Sequence, residues 1–555
     1  MKQIKVKVKK LNEEEFFPEG ITLAEIAKFY RDRFVSPIMA ARLNNSVAEL
    51  IKKIYQDVEI EFVDLRDRDG LRIYTRGILF VLFMAVRQLY GKVKLYVHHS
   101  LGSGLVCEVP DLKKGNLDLG AIESEMQKII ELNLPFIKET INKFDAIKLF
   151  LEDNQREKAI LFKYRKKSTV NIYRCGEYFN YYYGYMPTST GDLRWFKLLP
   201  YKNRYFILNL PTNSSPTEVP DFLDRPKLAN VFMEHENWGR ILGVKTVGEL
   251  NSIIASGDSE TAELIRIAEA LHEKKIANIA DEIAKREGTR LILIAGPSSS
   301  GKTTFSKRLM LHLKVLGFRP IQISLDDYFV DREKTPKDEN GNYDFESIEA
   351  LNLELFNEQM NQLMEGKEVH LASFNFKTGK GGFRSTPTKI NEDQPIIVEG
   401  IHGLNEQLSR GVPSQKKFKI YVSALTQMNL DDMNRIPTTD VRLLRRIVRD
   451  YRYRGHSALD TIKMWGNVRN GEEKYIFPFQ EQADVMFNSA LVYELAVLKM
   501  FAEPLLLQID NSEPEFAEAK RLLRFIDYFL PITAMEEIPR TSLLREFIGG
   551  STFRY

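Results

Sequence analysis

The apolar positions change period along the chain, and the changes mark its elements. From residue 2 to 9 apolar and charged residues alternate, which predicts a strand with one buried face. Residues 20–30, GITLAEIAKFY, predict an amphipathic helix with Thr22 as its N-cap. Residues 38–50 read as a strand, a turn at Asn44 and Asn45, and a further element. The aromatic run from Tyr178 to Tyr185 alternates like a strand or an apolar wall, and stacking on bases is the competing reading. Residues 221–226 are rich in Pro and Asp and predict a linker, after which residues 227–286 are strongly helical. Within them, residues 261–287 carry apolar residues at spacings of three and four, with His272, Lys274 and Lys275 expected on the solvated face.

The pattern then becomes that of a buried sheet. Residues 291–295, LILIA, are continuously apolar and predict a fully buried strand, followed by a loop of small residues and a helix. The run through residues 319–329 ends in Asp326 and Asp327, and that of residues 395–404 carries Glu399 at its end. Residues 440–455 place Arg442, Arg445, Arg446 and Arg449 on one helical face, and Arg452 and Arg454 extend the charge. Strands alternating with helices predict an α/β fold with a parallel, doubly wound sheet, whose ligands bind beyond the C-terminal strand ends.

Composition adds bounds. The 555 residues suit two to four domains, and 43% hydrophobic with 28% charged residues is ordinary for a globular chain. A formal net charge of +3 is too small to argue for nucleic acid by itself. Two cysteines, Cys107 and Cys175, exclude a disulfide framework and a four-Cys zinc site. The first residues lack an apolar signal core, and no apolar run approaches the roughly 20 residues of a membrane span. A cytoplasmic protein without a membrane partner is expected.

Chemistry enters at the loop after residue 295. Gly296, Gly301, Lys302 and Thr303 fit G-x-x-x-x-G-K-[ST], with a strand before and a helix after. The segment Gly296, Pro297, Ser298, Ser299, Ser300, Gly301, Lys302, Thr303 and Thr304 is the expected ATP cradle. Its N–H groups would face phosphate oxygens, and the helix dipole would add to them. Lys302 would neutralise the transferring group, and the Thr303 hydroxyl could hold Mg²⁺. The acids at two other strand ends and the arginine face complete a phosphoryl-transfer kit, the arginines reading as a lid over phosphates.

Residues from about 288 to 500 resemble the uridine kinase and phosphoribulokinase family. SLDDYF (324–329) resembles the segment carrying the catalytic base, which implies Asp326, with Asp327 beside it and Tyr328 near the acceptor. YDFESIEAL (343–351) is similar to the acceptor-binding stretch and puts Glu346 where uridine kinases carry Asp. IVEGI implies Glu399 as a second Mg²⁺-side carboxylate, DVRLLRRIVRD with RG implies Arg446, Arg449 and Arg454 as lid residues, and ADVMFN resembles the last strand. The base pocket departs from the family: Phe374 and Gly379 stand where a Tyr and a His are found, and His456 replaces an arginine. These departures put uridine specificity in doubt without touching kinase chemistry.

Residues 1–230 resemble the front of threonyl-tRNA synthetases, a ubiquitin-like TGS domain followed by an editing-type domain. The carriers are the 69–90 stretch, Ser189 to Gly191, and Phe196 to Leu199. Positions that hold two His, a Cys and a His in that family are Arg76, Phe80, Tyr182 and Met186 here, so the resemblance implies a retained fold and a lost metal site. His98 and His99 read as structural residues.

The expected organisation is an α+β TGS-like domain (1–65), an α+β editing-like domain (66–226), a helical connector (227–286), the P-loop kinase domain (287–535) and a C-terminal tail (536–555). The expected activity is transfer of the ATP γ-phosphoryl group, with Mg²⁺, to a small-molecule hydroxyl, foremost the 5′-OH of a ribonucleoside. A sugar phosphate or other polyol is the alternative acceptor. An RNA-binding NTPase is the alternative of another class, and oligomerisation stays open.

Overall fold

The computed structural model describes residues 2–554 apart from 114, 203, 338–340, 342, 377 and 427. The front begins with a five-stranded sheet built from Gln3–Val8, Glu13–Pro18, Ala40–Leu43, Ser46–Ala48 and Val58–Val63. Alternation puts Ile4, Val6 and Val8 into its core. The helix Leu23–Phe29 packs beneath, held at its start by Thr22 and Glu25 in a reciprocal capping box.

Helix α1, Arg68–Tyr90, then enters the interior. Around it lie a four-stranded antiparallel sheet, Lys197–Tyr201, Tyr205–Asn209, Gly104–Glu108 and Tyr96–Leu101 in that order, and a three-stranded sheet of Ile137–Asn142, Thr169–Cys175 and Tyr178–Asn180. Phe80 of α1 joins Tyr182 and Met186 in one buried cluster, the two rings 5.9 Å apart. The aromatic run therefore behaves as an apolar wall. His98 and His99 lie within the strand Tyr96–Leu101. His98 bridges Glu108 and Glu236 at 2.9 and 2.6 Å, and His99 stacks on Phe232 with ring centres 3.7 Å apart. Burial lowers the basicity of His98, but the two carboxylates outweigh it and carry the imidazole up to about 8.

Helix α2, Asp258–Lys285, is a spine, not a solvated connector. Its first half (Leu264, Ile265, Ala268) joins a large core shared with residues of the front, and its second half (Ile276, Ile279, Ile283) packs under the parallel sheet. His272 sits between Ala268 and Ile276 at helical spacing, so it is buried, with Nε2 at 3.1 Å from the Ala490 carbonyl. Neighbouring charges in the sequence hide that stripe; of the three named residues Lys274 is exposed and Lys275 half-buried.

The parallel sheet contains β1 (Leu291–Ala295), β2 (Ile321–Ser324), β3 (Ile396–Glu399), β4 (Lys417–Ser423) and β5 (Val485–Asn488), in the order β2-β3-β1-β4-β5. All pairs are parallel, as the continuous apolar runs require. Helix α3, Lys302–Val315, follows β1. Helices α4 (Thr438–Tyr453), α5 (Ala458–Tyr475) and α6 (Glu494–Leu506) cover the side toward the front half. The last twenty residues are no loose tail. Leu543, Leu544 and Phe547 are fully buried, and the helical turn Arg545–Ile548 packs on α4.

Candidate functional site

The loop between β1 and α3 turns at Gly296, where a Cβ would lie 1.9 Å from the Val422 carbonyl oxygen, and at Gly301, whose φ is +86°. Neither position admits another side chain without strain. The loop's carbonyls are fastened from outside. Arg442 Nε donates to Ser298 O at 3.1 Å, Arg445 reaches Ser299 O at 3.4 Å, and Ser489 Oγ donates to Ser300 O at 2.5 Å. Holding these carbonyls outward turns the Ser299 N–H the other way, where it suits an anion, whereas the Ser300 N–H closes a turn on Pro297 O at 3.2 Å.

This corrects the reading of the arginine face. Arg442 and Arg445 are buried and do not belong to a lid: they pair with the buried carboxylates of Glu472 and Glu494 and brace the loop. Arg446, Arg449 and Arg454 lie instead in the field of the strand-end acids, Arg449 and Arg454 near Asp326 and Arg446 near Glu346. Arg446 donates to Ser298 Oγ at 2.6 Å, and all three gather on the buried Asp450, at 3.2, 2.7 and 3.6 Å. One carboxylate among three guanidiniums leaves a net positive edge beside the loop.

Lys302 folds back on its own loop, donating to Gly296 O at 2.9 Å and Pro297 O at 3.2 Å. Burial lowers its pKa, opposed by Glu399 and Asp326. Thr303 Oγ1 donates to Glu399 Oε1 at 3.3 Å, across the β1–β3 pair. Burial pushes Glu399 up to about 7, with Lys302 opposing and Asp326 adding.

The two aspartates at the end of β2 part company. Asp327 is tied by Arg384 at 2.8 Å. Asp326 has no ion-pair partner among the described residues, opens to solvent and lies in the field of Lys302, Arg454 and Arg449. The surrounding protein raises its carboxyl above the usual range, against the pull of Lys302. Glu346 lies in the same field. Burial, then Glu472, push it up to about 7, and Arg446 opposes.

Two expected acceptor residues stand elsewhere. Tyr328 is 1% exposed, and its hydroxyl donates to Gln359 at 2.8 Å, because the short 3₁₀ turn Leu325–Tyr328 carries it back into the core. His456 lies beyond α4, its backbone N–H on Asp450 O at 3.2 Å, and no contact among the described residues brings its ring to the cluster. Phe374 does line the region, with Phe329 and Phe376 at 5.7 and 5.1 Å.

Four acids that the residue pattern does not single out hold the site: Asp450, Glu472, Glu494 and Glu546. Glu472 accepts the Ser298 N–H at 3.0 Å. Glu546, from the last helical turn, accepts from Thr304 N at 3.2 Å and Thr304 Oγ1 at 2.6 Å. Carboxylates thus occupy N–H groups at both ends of the phosphate loop. The apolar spacing of Leu543, Leu544, Phe547 and Ile548 was the one signal in the sequence that this segment is buried.

Residues 291–496 match the model of the Phosphoribulokinase / Uridine kinase family. The N-terminal region is similar to threonine–tRNA ligases: 36% identical over 209 residues to that of Thermotoga petrophila, covering 37% of this chain and 32% of the relative. For the ligase of Carboxydothermus hydrogenoformans the values are 28% over 231 residues, 39% and 36%. The chain spans about a third of the length of the curated relatives it matches. Among solved structures, a possible uridine kinase from Bacillus stearothermophilus aligns at 19% identity and TM-score 0.26, covering 39% of this chain and 98% of the other. A D-glycerate 3-kinase from Cryptococcus neoformans var. grubii aligns at 12% identity and TM-score 0.21, covering 48% and 89%. Residues 291–496 of this chain therefore match the Phosphoribulokinase / Uridine kinase family model, and its N-terminal region is similar to that of threonine–tRNA ligases.

Proposed function

We propose that this protein is an ATP-dependent kinase that phosphorylates a hydroxyl of a small molecule, foremost the 5′-OH of a ribonucleoside. The observation that carries the reading is the unpaired Asp326 sharing the electrostatic field of Lys302 and Arg454, while its neighbour Asp327 is tied to Arg384. In this reading Asp326 accepts the proton of the attacking hydroxyl, and its raised carboxyl is the better base for it. Lys302 leaves the carbonyls of its own loop and meets the transferring phosphoryl oxygens. Arg446, Arg449 and Arg454 neutralise charge that develops there and keep water, a competing acceptor, out. Phe374, Phe329 and Phe376 form an apolar wall for the acceptor, and Glu346 offers it a hydrogen bond.

Thr303 and Glu399 fit Mg²⁺: a hydroxyl and a carboxylate already meet, both hard oxygen donors, and bound Mg²⁺ would neutralise phosphate charge. The front half, proposed as TGS-like (1–65) and editing-like (66–226) units, then serves to position or regulate the kinase. The crowding of Phe80, Tyr182 and Met186 supports the loss of its metal chemistry. A sugar phosphate or other polyol remains the second acceptor class, since Phe374 departs from the uridine kinase pattern. The test is an ADP-release screen over nucleosides, sugars and sugar phosphates, run with and without RNA. Turnover that needs RNA and no small acceptor would overturn the kinase reading in favour of an RNA-stimulated NTPase.

A further inference from the structure

A cleft of about 760 Å³ opens between the front half and helices α4 and α5; no residue of the loop after β1 lines it, although its Arg469 pairs with Glu472, which holds the Ser298 N–H. That volume is in the range of small-molecule sites. Six arginines line it: Arg66, Arg68, Arg72, Arg76, Arg435 and Arg469. Three carboxylates do so as well, and all three are already engaged. Asp440 and Glu518 are held by Arg521 at 2.6 and 2.7 Å, and Glu473 by Arg469 at 2.8 Å. Arg66 is taken by Asp64 at 2.6 Å, and Arg72 by Asp69 and Glu518 at 3.0 and 3.3 Å.

Arg68, Arg76 and Arg435 are left without a carboxylate in ion-pair reach among the described residues. Arg76 donates only to the Tyr185 carbonyl, at 2.7 Å. Its place is built: a Cβ on Gly184 would lie 2.1 Å from its Cζ, so the glycine leaves room for the guanidinium. Burial depresses the basicity of all three, and Arg469 and Arg72 depress that of Arg68 further by like-charge repulsion. Arg68 opens to solvent and Arg76 and Arg435 are half-buried, and guanidiniums crowded along one wall are stabilised by an anion that reaches them. Their layout has a length. Arg68, Arg72 and Arg76 follow one another at four-residue spacing along α1, a row of about 12 Å, with Arg435 and Arg469 on the opposite wall. Thr212 and Ser214, whose hydroxyls are hydrogen-bonded to each other at 3.1 Å, also line the cleft. A single carboxylate would answer one of these guanidiniums; a row calls for several phosphoryl groups in line.

We propose that this cleft binds a small polyphosphorylated molecule, a nucleotide or another phosphoanhydride chain, held by Arg68, Arg76 and Arg435. The site is separate from the loop that would hold the phosphates of ATP, and the proposal stands whether or not the kinase reading does.

The test is calorimetric titration with inorganic tripolyphosphate at fixed ionic strength. Three forms are compared: the full chain, the Arg68→Gln/Arg435→Gln double variant, and Lys302→Ala. Because neither Arg68 nor Arg435 pairs with a carboxylate, the double variant should keep its thermal midpoint. Lys302→Ala should retain a binding event that the double variant loses, with affinity down about a hundredfold. Titration with a nucleoside triphosphate in the Lys302→Ala background then tells whether a base adds to the phosphate chain. If the double variant binds tripolyphosphate as the full chain does, the proposal is wrong. It is equally wrong if the cleft ignores tripolyphosphate and takes only a single-stranded oligoribonucleotide, with the salt dependence of many phosphate contacts.

Discussion

Glu546 offers the sharpest test of how the phosphate loop is set. Its carboxylate occupies the N–H and hydroxyl of Thr304, donors that a P-loop directs at the α- and β-phosphates of its nucleotide. ATP must therefore exchange with an internal anion. A hydrogen bond to a charged group contributes about 1.5–3 kcal/mol, roughly twice a neutral one. Glu546→Gln keeps an oxygen in place and removes the charge, so it should weaken the internal contact by about 1 kcal/mol and relieve repulsion with the incoming phosphates. ATP should then bind about five- to tenfold more tightly, while the free protein loses about 1 kcal/mol of stability. Glu546→Ala leaves the buried Thr304 donors without that acceptor, costs the free protein about 1–3 kcal/mol, and should enhance ATP binding further. The assay is equilibrium binding of a fluorescent ATP analogue, with thermal unfolding of the same samples. Unchanged or weaker ATP affinity in both variants would refute the idea that Glu546 and the nucleotide compete for Thr304.

Four further outcomes are expected. Lys302→Ala should abolish turnover with little change in thermal midpoint, since its bonds in the free protein go only to two loop carbonyls; near-normal turnover would remove it from the reaction. Asp326→Asn should lower kcat far more than it changes KM for ATP, and Asp327→Asn, which breaks only a half-exposed pair with Arg384, should do less; the reverse order would shift the catalytic register by one. Glu346 and Glu399 titrate near 7 in the fold against an ordinary 4.5, so the stability they confer is complete below about pH 4.5 and is lost as pH rises through 7. Unfolding of the free protein from pH 5 to 8 should show that fall, Glu399→Gln should flatten its share, and stabilisation by Mg²⁺ should grow over the same interval. Glu494→Gln strands the buried Arg445 and should cost about 3–5 kcal/mol in chemical denaturation; a cost under about 1 kcal/mol would mean that Arg445 finds its charge balance elsewhere.

The parallel sheet was legible because its signals are local. LILIA, the glycine loop and the apolar start of α3 are contiguous, and a fully buried strand reads as an unbroken apolar run. The separation of Asp326 from Asp327 followed from resemblance, but the reason is visible only in space, where Arg384 lies 57 residues away from the side chain it binds. The same holds for Glu472, Glu494 and Glu546. Each pairs across tens or hundreds of residues, and in sequence each looks like one more charged surface position. His272 and Tyr328 mislead for the opposite reason. Polar atoms suggest surface or site, yet the helical stripe of α2 and the 3₁₀ turn after β2 turn both inward.

The core that joins the two halves has a consequence for synthesis. It draws residues 146–181 of the front together with residues 428–548, and it encloses Lys158 with Asp431 and Asp432, the closest of these pairs spanning 274 positions. The apolar faces of helices Lys143–Glu152 and Arg156–Lys163 therefore leave the ribosome long before their partners exist. At roughly 5–20 residues per second the wait is on the order of tens of seconds. Throughout it, Phe150 and Phe162 have only each other and the rings of Phe179 and Tyr181, and Lys158 has neither of its acids. The front half on its own should behave as an unfinished protein, sticky and dependent on holdases. Residues 543–546 emerge later still, and with Leu543 against Gly301 and Glu546 on Thr304 they close the phosphate loop some 240 residues behind them.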